Sequence, residues 1–144
     1  MSREEDIKVL AMTLWAEARG EGKDGMIAVA WAIRNRVEMD LGNDNKPDWW
    51  GEGYIGVCKA PWQFSCWNKN DPNYKYLSGQ AKIPDLQYYM AKECAMLVID
   101  GSVPDPTGKA THYYSISMIT PPKWAKHGTY SCRIGGHIFF RDVK

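Results

Sequence analysis

The feature that most constrains this chain is the run Met26, Ile27, Val29, Ala30, Trp31, Ile33 and Val37. At about 100° per residue these positions spread apolar side chains around most of a helical circumference, and a helix apolar on nearly all sides belongs at the centre of a domain. Asp24 stands where it can cap that helix. The rest of the 144 residues is then expected to supply its cover.

Two further helices are legible. Ser2 and Glu5 form a capping box, after which Ile7, Leu10, Ala11, Leu14 and Ala18 recur at helical spacing until Gly20 offers a stop. Pro84 suits a first helical position, opening a helix through Leu86, Met90, Leu97 and Val98 that Gly101 closes. Leu41 to Gly53 is rich in turn formers and reads as a surface loop presenting Trp49 and Trp50. Tyr54 to Asn68 alternates too poorly for a strand and reads as loop with short extended pieces. Later, THYYSI has β-type residues, and TYSCRI and HIFFRD flank Gly135 and Gly136 at the spacing of a tight hairpin. The fold class expected is α+β, one mainly helical domain over residues 1–144 with a small late β-hairpin element.

Composition narrows the functions available. The formal net charge is +1 with no basic run longer than a pair, so nucleic acid is not an expected partner. The opening MSREEDIKVL lacks the apolar stretch of a secretion signal, and no segment approaches the ~20 apolar residues that span a bilayer. The expectation is a monomer made in the cytoplasm without a signal peptide or an integral membrane segment. In that setting Cys58, Cys66, Cys94 and Cys132 are expected as free thiols. They form no C-x-x-C pair, and His112, His127 and His137 form no H-x-x-x-H pair, so neither a metal nor a cofactor is expected. Seven Trp and eight Tyr are a high aromatic load, able to fill a core or to line a groove that stacks on rings.

Glu17 is the residue with chemistry in it. Around the first helix it falls within roughly 20° of Leu10, at the margin of the Ile7/Leu14 stripe. Partial burial there would hold the carboxyl protonated, as a general acid requires; a solvated glutamate at a helix end is the alternative. Glu93, aligned with Leu86, Met90 and Leu97, is either a buried structural acid or a second carboxylate in the cleft, and the structural reading is preferred.

The blocks WAEARGEGKDGMIAVAWAIRNRV, WQFS, THYY and RIGGHIFF resemble, in the same order, those of the SleB-like cell wall hydrolases, a family that includes the catalytic domains of spore cortex-lytic enzymes and similar domains of phage lysins. The likeness runs from about Leu10 to Phe140, and A-E-A-R-G-E is its most specific part. It implies a lysozyme-like fold acting on bacterial peptidoglycan, between N-acetylmuramic acid and N-acetylglucosamine, in the manner of a lytic transglycosylase. It also implies that Glu17 is the acid and Glu21 a loop or hydrogen-bonding residue. Gln63, Phe64 and Ser65 would bind the sugar, Tyr113 and Tyr114 would line the opposite wall, and His137 would stand behind the site. Two alternatives stay open: a muramidase that uses water, and a glycan-binding module without catalysis. A lytic domain without an export signal fits a phage endolysin that reaches the wall after a holin opens the inner membrane.

Overall fold

The computed structural model describes residues 2–39, 43–46, 48–60 and 63–143. Ser2 caps α1 (Arg3–Ala18), its hydroxyl accepting from the Glu5 amide at 3.1 Å. The acids Glu4, Glu5 and Asp6 occupy the first turn, where the helix dipole favours negative charge. A 3₁₀ turn, Arg19–Glu21, leads directly into α2 (Gly22–Glu38), so Asp24 lies inside the first turn and not at the cap expected for it. From Gly25 to Val37 no residue of α2 is exposed, in keeping with the enclosure its composition demands.

Three helices cover α2 and α1. The segment read as loop contains α3 (Gly53–Lys59), which packs on both; α4 (Tyr74–Leu77) is a single turn; and α5 (Asp85–Ile99) lies along α1 and α2 with Pro84 at its N-cap. The buried face of α5 is Ala91, Cys94, Ala95 and Val98, whose small side chains allow close helix approach. Leu86 and Met90 are exposed, at 86% and 44%. Glu93 is accordingly neither buried nor in one cleft with Glu17: it is exposed, with Lys23 at 3.6 Å.

The sheet is β1 (His112–Ser115), β2 (Thr129–Ile134) and β3 (His137–Arg141), antiparallel in the order β1-β3-β2. Gly135 and Gly136 make the expected tight turn between β2 and β3, Gly135 at φ +57°. Of the paired tryptophans only Trp49 is displayed, at 55% exposure; Trp50 is fully buried, in ring contact with Trp49 and His112.

One buried cation ties the layers together. The Arg36 Nε, from α2, donates to the Thr111 carbonyl at 2.6 Å, and its Nη1 donates to the Gln63 Oε1 at 3.0 Å. The guanidinium also lies 5.4 Å from the Phe64 ring centre and 5.8 Å from that of Trp50. Burial lowers its pKa to about 10, so it stays charged at neutral pH.

Candidate active site

Glu17 sits one residue from the end of α1, where the helix runs out beneath β1 and β3. The Tyr113 hydroxyl, on β1, donates to the Glu17 Oε1 at 3.0 Å. Burial raises the Glu17 pKa, and the charge of Asp71 adds to the rise. The bonds from Tyr113 and Cys66, which favour the ionised form, oppose it. Tyr113 itself is held well above the usual phenol range by burial and by the neighbouring Glu17, so it remains a donor.

Glu17 opens on a cleft of about 720 Å³. Glu21, Ser65, Tyr113, Tyr114 and His137 also line it. Glu21 is seated on the β2–β3 turn, where the Gly136 amide donates to its Oε1 at 3.1 Å. A Cβ on Gly136 would come within 2.5 Å of that oxygen, so any other residue there would make the carboxylate shift from this seat. The His137 Nδ1 lies 3.6 Å from the same Glu21 oxygen, and its ring packs edge-on against Tyr113 at 4.9 Å. Burial lowers the His137 pKa, with Glu21 pulling the other way, which leaves the ring neutral at neutral pH.

The far side of the cleft is aromatic. Trp124, from the 3₁₀ turn Lys123–His127, lines it and packs against Tyr114 at 6.0 Å and Phe140 at 5.4 Å. A half-buried carboxyl and aromatic rings lining one cleft suit a substrate with ring faces and a bond cleaved by protonation. Among the described residues no group of three or more acidic, histidine or cysteine side chains is placed to hold a metal ion.

The family model described as Cell Wall Hydrolase matches residues 20–140. The chain belongs to that family. Two spore cortex-lytic enzymes, from Bacillus subtilis (strain 168) and from Halalkalibacterium halodurans, are each 30% identical to it over 139 residues, 93% of this chain. This cell wall hydrolase spans 37% and 34% of the lengths of those two relatives. Among solved structures, it is similar to the catalytic domain of the germination-specific lytic transglycosylase SleB from Bacillus anthracis, with TM-score 0.68 and 29% identity. That match covers 98% of this chain and 97% of the other. The catalytic domain of the Bacillus cereus SleB protein gives TM-score 0.68 at 28% identity, over 98% of this chain and 93% of that one. The α+β, lysozyme-like architecture expected from the sequence is the one this cell wall hydrolase has.

The structure brings Glu17, Glu21, Ser65, Tyr113, Tyr114 and His137 to one cleft. It places Gln63 and Phe64 behind it. The Gln63 carbonyl oxygen is taken by Arg36, and Phe64 is 4% exposed, so its ring faces core and not a sugar. Trp62, of the same WQFS block, lies outside the described residues. Trp124, Met118 and Ser115 line the cleft without having been singled out in the sequence. Trp124 follows Pro121, Pro122 and Lys123, a turn context with no periodic signal.

Proposed function

We propose that this cell wall hydrolase cuts the bond between N-acetylmuramic acid and N-acetylglucosamine in bacterial peptidoglycan as a lytic transglycosylase. The observation that carries the reading is Glu17, a largely buried carboxyl whose pKa burial raises, hydrogen-bonded by Tyr113 and lining one cleft with Tyr114 and Trp124. Its proton passes to the glycosidic oxygen as the bond from that oxygen to the muramic C1 breaks, and the Tyr113 phenol stabilises the carboxylate left behind. That carboxylate then takes the proton from the muramic 6-hydroxyl, whose oxygen closes on C1 as a 1,6-anhydro ring. One carboxyl serves as acid and then base, and no water is consumed. Trp124 and Tyr114 offer ring faces for the sugars.

A second reading, hydrolysis by water, has one observation in its favour: the Glu21 carboxylate lines the same cleft. Ordinary glycosidases use two carboxyls. Against it, one Glu21 oxygen is already bound by the Gly136 amide. Mass spectrometry of digested peptidoglycan separates the readings. Anhydro-muramyl ends support transglycosylation, ends heavier by one water support a muramidase, and binding without release of any fragment would reject both.

The setting we propose is host lysis by a phage endolysin. Expression in a bacterial host should then lyse cells only when a pore-forming holin is co-expressed. Lysis without a pore would reject that setting and leave the chemistry untouched.

A further inference from the structure

A second groove of about 470 Å³ lies between α1 and α5, away from Glu17. Lys8 and Glu17 are nine positions apart on α1, which puts them on opposite sides of that helix and about 13 Å apart along its axis. The groove is lined by Lys8, Lys82 and Lys92, with Tyr88 and Tyr89 from α5. A neighbouring groove of about 390 Å³ shares Tyr89 and Lys92, so these two residues form the ridge of one extended surface along α5. Tyr89 is 69% exposed.

The charges on this surface are unevenly compensated. Lys82 pairs with Asp85 at 3.1 Å. The acids of the neighbouring groove are also taken, Glu93 by Lys23 at 3.6 Å and Asp100 by Arg3 at 2.7 Å. Lys8 and Lys92 make no ion pair among the described residues, although Glu4 and Glu5 stand a turn earlier on α1. The surface thus combines unpaired ammonium groups with an exposed phenol ring on a length that suits a polymer.

We infer that the α5 face is a second, non-catalytic site for a peptidoglycan strand, its lysines meeting the free carboxylates of the peptide stems and Tyr89 meeting a sugar face. A polyol-phosphate wall polymer would satisfy the lysines but leaves the tyrosine without a ring to stack on. Because α1 stands between the two sites, the strand held here is a neighbour of the one being cut, and its role is to keep the enzyme on the wall between cuts. The inference rests on the proposed substrate.

The test measures co-sedimentation of Glu17→Gln protein with insoluble peptidoglycan stripped of phosphate polymers. Adding Tyr89→Ala and Lys92→Glu should weaken binding about tenfold or more, from loss of an aromatic anchor and reversal of one charge. The same two changes in the active enzyme should leave cleavage of short soluble glycan oligomers unchanged, with an unaltered melting temperature. Unchanged sedimentation, binding that disappears when phosphate polymers are removed, or an equal loss on oligomers and on intact wall would each overturn the second site. Should the double variant fold poorly, amide shifts of the Glu17→Gln protein titrated with soluble stem-bearing glycan decide instead. Shifts at Tyr89 and Lys92 alongside Trp124 support the site, and shifts at Trp124 alone reject it. Cleavage of oligomers by the unaltered enzyme checks the proposed activity separately, so its absence would remove that reading without deciding the binding comparison.

Discussion

Removing one oxygen atom from Tyr113 tests the centre of the mechanism. In Tyr113→Phe the ring keeps its packing against His137 at 4.9 Å and Phe139 at 5.6 Å, so the fold should persist. What is lost is the 3.0 Å bond to the Glu17 Oε1. A hydrogen bond to a charged group in a partly buried site contributes about 1.5–3 kcal/mol, which corresponds to roughly a 10- to 150-fold fall in rate if the carboxylate forms in the rate-determining step. The sign of the pH effect is also fixed. Tyr113 favours the ionised form of Glu17, so its loss lets burial raise the Glu17 pKa further, and the limb on which activity falls with rising pH should move to higher pH. The assay is release of soluble fragments from peptidoglycan, as kcat/KM against pH for both proteins. A full rate with an unmoved alkaline limb, or a limb displaced to lower pH, would refute the reasoning.

Further outcomes are expected. Glu17→Gln should lower turnover by ~10²–10⁴. Native Glu17 also keeps a proton that the unfolded chain gives up above the ordinary value of 4.5, so wild-type stability falls as pH rises through the raised pKa. The melting-temperature advantage of the Gln variant should therefore widen from pH 4 to pH 8, and a constant gap would contradict the burial argument. His112, 2% exposed, has its pKa lowered to about 3 by burial and then by Arg36, so the native ring stays neutral while the unfolded chain protonates below 6.5. Stability should fall between pH 6.5 and about 3, by at most about 5 kcal/mol at 1.36 kcal/mol per unit, and denaturant midpoints for His112→Gln should be flatter over that window. Phe64→Ala should cost about 3–5 kcal/mol of stability with activity per folded molecule nearer wild type than in Tyr113→Phe; a normal melting temperature with lost turnover would return Phe64 to the groove. All four cysteines should react with thiol reagents in denaturant, whereas in the native protein Cys58, fully buried with its pKa pushed up to about 12, should lag behind the partly exposed Cys132.

Local signals carried the long elements. The capping box, the apolar circumference of α2 and the Gly135–Gly136 spacing are decided by nearby residues, and the corresponding elements formed. What failed depends on distant partners or short range. The seven-residue α3 has Gly53 and Gly56 within it and no side-chain cap, so its stability comes from packing on α1 and α2 and leaves little periodic signal. On α5 the larger apolar residues drew the predicted face toward Leu86 and Met90, while the core selected Ala91 and Ala95 for close approach to α1, and Glu93 was misplaced with the phase. The site divides in the same way. The edge position of Glu17 follows from helix geometry, but Gln63 and Phe64 were claimed by Arg36, which is 27 positions from Gln63. The seat of Glu21 on a turn 115 residues away has no local trace.

The strand order has a consequence for synthesis. Tyr113 and Glu17 are 96 residues apart, and among the described residues the strand carrying Tyr113 pairs in the sheet with β3 alone, residues His137–Arg141. A nascent chain can therefore form α1 and α2, and even translate Tyr113, without fixing the phenol beside the acid. That happens when β3 leaves the ribosome and docks. Catalytic competence should thus switch on late in elongation, and a fragment cut before His137 should be helical yet inert.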